Sequence, residues 1–469
     1  MSTLSFATAL LLVATTAVAQ TSVTPKIPVR QLPAAVAVST DSIGSVAAVR
    51  QLPNGNVLLN DQARRRVVLL DPNMKVIGLV ADSTSSTNNA YGVRPGGMIA
   101  YRGDSTLFID PAGLSMLVID PAGKIIRTMA APRANDINSL IGGAAGNPGF
   151  DASGRLVYRI QDFFGFGRGR GAGPQPGQPF VPPTPPDSAS LVRFDLATRK
   201  LDTVGFFKIP KSNVSMTQDA NGRMNVSITM NPLPVVDDWA VMSDGTIAFV
   251  RGRDYHVDFV DAGGVKRSAD KIPYEWQRMN DDDKSRFLDS AKAAIERTRA
   301  TIAAGGPGAG AAMQQGMDAM GFGGGGGGGT PMIITMGGPG GPGGAAPPQR
   351  GGGDAGRGGD AGRGGAPGGG GFQVPPVNMV PISELPDYKP VFGSGSIRAD
   401  MDGRLWVRTI PTKPTPGGAI YDVIDKEGKL VDRIQVPAGT TIAGFGKGGI
   451  VYLGQRDATG IHVQRIVAR

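Results

Sequence analysis

Four glutamates, two histidines and no cysteine set narrow bounds on the chemistry open to this 469-residue chain. Without cysteine there are no disulfides, thiolate nucleophiles, Fe–S clusters or Cys-type zinc sites. His256 and His462 leave little room for an imidazole-rich metal site or a Ser-His relay. Asp281, Asp282 and Asp283 have the look of a carboxylate metal site. They follow Asn280 at the head of a helical pattern, however, where capping and the positive dipole end account for them. Met313, Met317, Met320, Met332 and Met336 offer soft thioethers suited to copper, with no His or Cys beside them. The glycine runs mimic phosphate-binding fingerprints, but none follows a strand and opens a helix. No cofactor and no bound metal is expected.

The other carboxylates recur in a repeat. An apolar strand, an Asp-led turn, a basic residue and a further apolar stretch appear at Val67–Asp71 with Lys75, and at Met116–Asp120 with Lys124. The same unit returns at Leu191–Asp195 with Lys200, Val257–Asp261 with Lys266, and Tyr421–Asp425 with Lys429. Asp at the head of such a turn bonds the backbone two residues on. Pro72 and Pro121 preset φ, and Gly123 and Gly428 supply the positive φ. These aspartates are turn formers, not catalytic groups. A second hairpin precedes each unit, marked by Asn54-Gly55, Gly103-Asp104-Ser105, Ser153-Gly154, Asp244-Gly245, Asp402-Gly403 and Gly448-Gly449.

Six hairpins of one kind and five of the other predict an all-β, six-bladed β-propeller whose last unit lacks its outermost strand. Lys26–Leu32 has no partner of its own, so it is expected to close the ring by completing the last blade. Three insertions interrupt the repeat, at 161–187, 211–234 and 274–393; without them about 46 residues remain per unit. Met401–Val407 and Val423–Val431 carry "D-G-R-hydrophobic-x-V" and "hydrophobic-D-x-x-G-K" pieces, and on them the chain resembles six-bladed propellers of the NHL-repeat and TolB-like kind. That resemblance speaks to architecture; such folds host binding proteins, lactonases, lyases and dehydrogenases. The gluconolactonase-like branch implies a glutamate metal ligand from the first blade. Glu275, Glu296, Glu384 and Glu427 all lie later, so that position is unmatched.

The domain plan is a signal peptide at 1–19, the closing strand and blades one to four within 20–273, and a helical insertion at 274–304. A Gly-rich disordered linker at 305–373 and blades five and six at 374–469 complete it. Leu4–Val18 is an apolar run ending in Ala17-Val18-Ala19, too short to span a bilayer. A periplasmic or secreted protein without a transmembrane anchor is expected. Phe287, Leu288, Ala291, Ile295 and Ile302 form an apolar stripe that should dock the inserted helix across one face of the ring. Loop 161–187 opens with Phe163, Phe164, Phe166, Arg168 and Arg170, and ends in a Pro-rich stretch suited to polyproline II. In the Gly-rich tract Arg350, Arg357 and Arg363 are cancelled by Asp318, Asp354 and Asp360, so nucleic acid is not expected as a partner. Net charge is +9, a generally basic surface.

In a four-stranded blade the tight turns fall on one face, while the second-to-third-strand loops and the connections between blades fall on the other. All three insertions fall on that second face, which makes it the expected binding surface. Its loop residues are the candidate ligand contacts: Asn60, Asp61 and Arg64, then Asp110, then Arg251, Arg253 and Asp254. Blade five adds Arg408 and Lys413, and blade six adds Gln455, Arg456 and Asp457. The expected function is ligand or partner binding by a monomer, the ligand being a small molecule, glycan or protein of anionic character. The alternative is a metal-dependent lactonase-like hydrolase.

Overall fold

The computed structural model describes residues 27–41, 43–84, 89–92, 94–143, 145–160, 186–211, 213–218, 224–303, 377–412 and 416–468. The expected signal peptide, the loop 161–185 and the Gly-rich tract lie outside the described residues.

Six antiparallel sheets succeed one another along the chain, one per blade. Blade one is Ala48–Gln51, Val57–Asp61, Arg66–Leu70 and Val76–Asp82. Blade two is Gly97–Ala100, Thr106–Asp110, Ser115–Ile119 and Ile125–Ala130. Blade three is Gly149–Phe150, Leu156–Arg159, Ser188–Phe194 and Leu201–Lys208. Blade four is Asp238–Val241, Ile247–Arg251, His256–Val260 and Lys266–Ser268. Blade five is Ile397–Ala399, Leu405–Thr409, Ile420–Ile424 and Leu430–Gln435. Thr440–Gly446, Ile450–Asp457 and Gly460–Val467 form blade six. The fold is a six-bladed β-propeller.

The Asp-led turns behave as their composition requires. Asp71 Oδ1 accepts from the backbone N–H groups of Asn73 and Lys75, both at 2.9 Å. Asp120 does the same for Ala122 and Lys124, and Asp425 for Glu427 and Lys429. Gly123 and Gly428 take φ of 83° and 89°. Apolar side chains alternate between the two faces of each blade, and six buried clusters fill the six gaps between neighbours. Trp406, for example, faces blade six and meets Phe445 at 5.1 Å, while Val407 faces blade four in the cluster of Val250 and Val257.

An N-terminal strand closes the ring, but a different one from that expected. Ala37–Val38 pairs antiparallel with Gly460–Val467 and completes blade six. Val29–Gln31, inside the segment expected to do this, adds instead in parallel to Leu430–Gln435 as a fifth strand of blade five. Its Arg30 meets Asp432 at 2.6 Å, an ion pair available only on that outer edge. A two-residue strand carries no period, which is why the sequence pattern passed over it.

Two insertions fold together. Asn213–Gln218 and Met224–Met230 form a hairpin, and Val377–Met379 joins it in parallel from the far end of the long insertion. The inserted helix runs Asp281–Ala303, starting just after Asn280 as the capping pattern implies, while Arg278 ahead of it bridges Tyr388 in extended form. Asn280 Oδ1 accepts from Asp283 N–H at 2.8 Å, and Asp283 returns a carboxylate oxygen to Asn280 N–H at 3.2 Å, a reciprocal cap. Leu288 of the helix is buried with Leu233, Met279, Val380 and Leu385, so the stripe packs within this cap. Lys284, buried in its stem, reaches Asp387 at 2.8 Å.

Candidate ligand-binding face

The loops expected to bind ligand stand at the ends of the second strands, on the face from which the cap rises. In blade one, Asn60 and Gln62 both donate their amides to the Gly96 carbonyl, at 2.8 and 2.7 Å, tying the loop to the start of blade two. Their own oxygens, buried, have no partner among the described residues and suit a buried water or a donor from a ligand. Asp61 is 0% exposed and accepts from Gly44 N–H, Ser45 N–H and Arg66 Nε at 2.8–3.0 Å. Asp110 likewise takes Gly92 and Ala112 N–H groups. These two carboxylates pin connections in place and do not face a ligand space. Arg64 stands exposed beside them.

In blade four Arg251 and Asp254 meet through a network. Arg251 bonds Asp258 at 2.7 Å and Asp237 at 2.9 Å, His256 bonds Asp254 at 2.8 Å, and His256 also approaches Asp258 at 3.3 Å. Burial works against ionising Asp258, yet Ser268 and Arg251 hold its carboxyl below the usual carboxylate range. Arg253 is exposed. In blade six Arg456 is exposed, while Asp457 accepts from Thr459 N–H and Gly460 N–H and lies 3.4 Å from His462. Gln455 is bonded by Gln464, and Lys413 lies outside the described residues. The twelve positions are thus spread around the ring; only the blade-one trio and the pair Arg251 and Asp254 are gathered.

Three residues of the inner rim were missed. Asp238 opens the inner strand of blade four and accepts from Ile397 N–H of blade five at 3.1 Å and from Trp239 N–H at 2.9 Å. Burial raises its pKa to about 7, against the pull of those N–H groups and of Arg159. Arg159 ends the second strand of blade three, its pKa lowered by burial and its guanidinium 5.7 Å from the Phe207 ring. Arg398 lies in the inner strand of blade five. The signal for all three was a charged residue at a strand position whose neighbours are core.

Among the described residues, no group of three or more His, Cys, Asp or Glu side chains could hold a metal ion. Away from this face, a groove of about 500 Å³ between blades four and five is lined by Ile272, Tyr274, Leu430 and Arg433. Behind it, buried Asp422 accepts from Tyr255 OH and Arg433 Nε, both at 3.0 Å. No described helix is long and apolar enough to cross a membrane.

No protein-family model matches the sequence, and no sequence relative is found among curated proteins. Solved structures similar to this chain include a gluconolactonase from Xanthomonas campestris, at 10% identity over 93% of this chain and 99% of that one, TM-score 0.34. A calcium-binding regucalcin from Agrobacterium tumefaciens is similar at 11% identity over 94% and 98%, TM-score 0.34. Virginiamycin B lyase from Staphylococcus aureus, solved with quinupristin, matches at 10% identity over 49% and 71%, TM-score 0.24. At such scores the likeness carries nothing about activity; strand order and register define the propeller here.

Proposed function

We propose that this chain is an exported propeller that binds a ligand or partner on its insertion-bearing face. The observation behind this reading is the cap. Both long connections flanking blade four leave the same face and fold into one three-stranded sheet, with the helix Asp281–Ala303 packed on the returning chain. A scaffold trimmed to tight turns on one face and built up on the other concentrates its recognition on the second. The inner rim there carries half-buried guanidinium groups and the buried Asp238 carboxyl instead of a carboxylate cluster, which favours an anionic or polyhydroxylated ligand. The protein acts in the periplasm or outside the cell, as a monomer.

A thermal-shift screen with sugars, peptides and organic anions, with and without calcium, tests this. A shift with an organic ligand that persists in EDTA supports binding. A shift confined to calcium, together with metal-dependent hydrolysis of a lactone panel, replaces this reading with the lactonase-like one. No shift with any class of ligand sinks both.

A further inference from the structure

The groove between blades four and five lies apart from the insertion-bearing face and has the make-up of a second binding site. It runs from the Asp425 turn of blade five to the connection that leaves blade four, and its cavity of about 500 Å³ is the size of a small-molecule pocket. Its floor is apolar. Ile272 is buried and Leu430 half-buried, and a register slip beside Leu430 turns it to the same side as Arg433, toward blade four. Tyr274 forms a wall held from three directions. Its hydroxyl donates to the Ile410 carbonyl at 3.1 Å, Tyr255 packs edge-on at 5.8 Å, and Trp276 packs edge-on at 5.4 Å. Trp276 is 38% exposed, whereas the other two tryptophans of the chain, Trp239 and Trp406, are 1% and 4% exposed. A large ring left in water beside an apolar groove marks a contact surface.

The charged groups lining the groove are Asp270, Glu275 and Glu427 against Lys271, Lys429 and Arg433, so its lining is balanced in a chain of net charge +9. Two of the cations are already committed. Arg433 bonds Asp422 at 3.0 Å and the Pro273 carbonyl at 3.3 Å, and Lys271 lies 3.6 Å from Asp254. An anion therefore finds no cluster of cations to hold it, and a cation meets Lys429 beside the carboxylates. An added peptide strand has little to pair with, because Val29–Gln31 covers the outer edge of blade five and the outer strand of blade four is three residues long. An aromatic wall, an apolar floor and a rim of both donors and acceptors fit a neutral ring with an apolar face and hydroxyls at its edge. A pyranose is such a ring: its C–H bonds stack on the negative face of an aromatic, and each hydroxyl both donates and accepts. We infer that this groove is a glycan-binding site, in which Tyr274 and Trp276 stack a neutral pyranose unit while the exposed Asp270 and Lys429 bond its hydroxyls. It is separate from the face proposed above to bind a ligand, and neither site depends on the other.

Trp276 is the built-in reporter, since the other two tryptophans are buried. The test is acrylamide quenching of tryptophan emission in the intact chain, with maltotriose, cellotriose and triacetylchitotriose as probes and trilysine and inorganic phosphate as ionic controls. At least one trisaccharide should lower the quenching toward that of Trp276→Phe, whose emission comes from the two buried rings alone, and neither ionic control should. Calorimetry with that trisaccharide then reads the wall and the rim. Tyr274→Ala and Trp276→Ala should each weaken binding about five-fold or more, and Asp270→Ala about three-fold or more. Tyr274→Phe keeps the stacking face and should bind as the wild type does. Trp276 and Asp270 are exposed, so a loss in those variants is not a folding defect. Protection of Trp276 by no trisaccharide, protection by trilysine or phosphate instead, or undiminished affinity in the Trp276 and Asp270 variants overturns the inference.

Discussion

Asp238 is the residue on which the rim of the ring turns. Its carboxylate links the inner strands of blades four and five by accepting from Ile397 N–H, across a stretch of sequence that includes the whole long insertion. The group is buried, and its pKa in the folded chain is about 7, against 3.8 for the same side chain in water. A folded chain that keeps a proton the unfolded chain has released loses stability as pH rises. The loss begins above the unfolded value and levels off past the folded one, so the window is roughly pH 4 to 7. The gap between the two values corresponds to about 4 kcal/mol across that window. Asp238→Asn keeps the shape and does not titrate. It should cost about 1–2 kcal/mol at pH 5, where the native carboxyl is neutral. That penalty should shrink or reverse at pH 8.5, where the native group is a buried anion. Urea midpoints of both proteins at the two pH values decide the matter, and an equal penalty at both would mean that Asp238 does not titrate in this range.

The cap is the element that most exceeds what the sequence disclosed. Its helix was legible because Asn280 and the acidic triplet announce a start and Leu288 and Ala291 announce an apolar stripe. Its hairpin was not. Asn213–Gln218 and Met224–Met230 do alternate apolar and polar residues, but their third strand, Val377–Met379, stands on the far side of the long insertion. Pairing over such a separation leaves no local mark. The same physics hid Arg398: its strand is three residues long, and its neighbour across the gap belongs to another blade. Turns, by contrast, are local chemistry, so every Asp-led turn could be read directly. The cap has its own small core, and that makes a separable prediction. Leu288→Ala opens a cavity among Leu233, Met279, Val380 and Leu385 and should cost the cap about 2–4 kcal/mol. Hydrogen exchange should show lost protection in Asp281–Ala303 and Val377–Met379, with Val57–Asp61 of blade one unchanged. Uniform loss across the blades would mean that cap and ring unfold as one unit.

The ring as a whole depends on how its two ends meet. A propeller sheds its sheet edges only if the last blade is completed, and here two residues, Ala37 and Val38, do that. Around them the latch is denser than its length suggests. Val36 N–H donates to the Arg465 carbonyl at 2.8 Å, and Ser39 N–H donates to the Val463 carbonyl at 2.9 Å. The Ser39 hydroxyl accepts from Val463 N–H at 2.8 Å, and His462 Nδ1 lies 2.9 Å from the Ser39 carbonyl. Each bond is worth about 1 kcal/mol net, so the latch as a group matches a fair share of a domain's total stability. Val29–Gln31 contributes differently, since it only thickens the outer edge of blade five and leaves the ring closed without it. Two truncations separate these roles. A chain starting at residue 34 loses the fifth strand and should melt within a few degrees of the full chain. A chain starting at residue 41 loses the latch and exposes the edge of Gly460–Val467, so it should melt about 10 °C lower or more and associate through that edge. Thermal melts with light scattering on both proteins distinguish the two outcomes. Equal melting temperatures would show that the ring does not depend on Ala37–Val38 for closure.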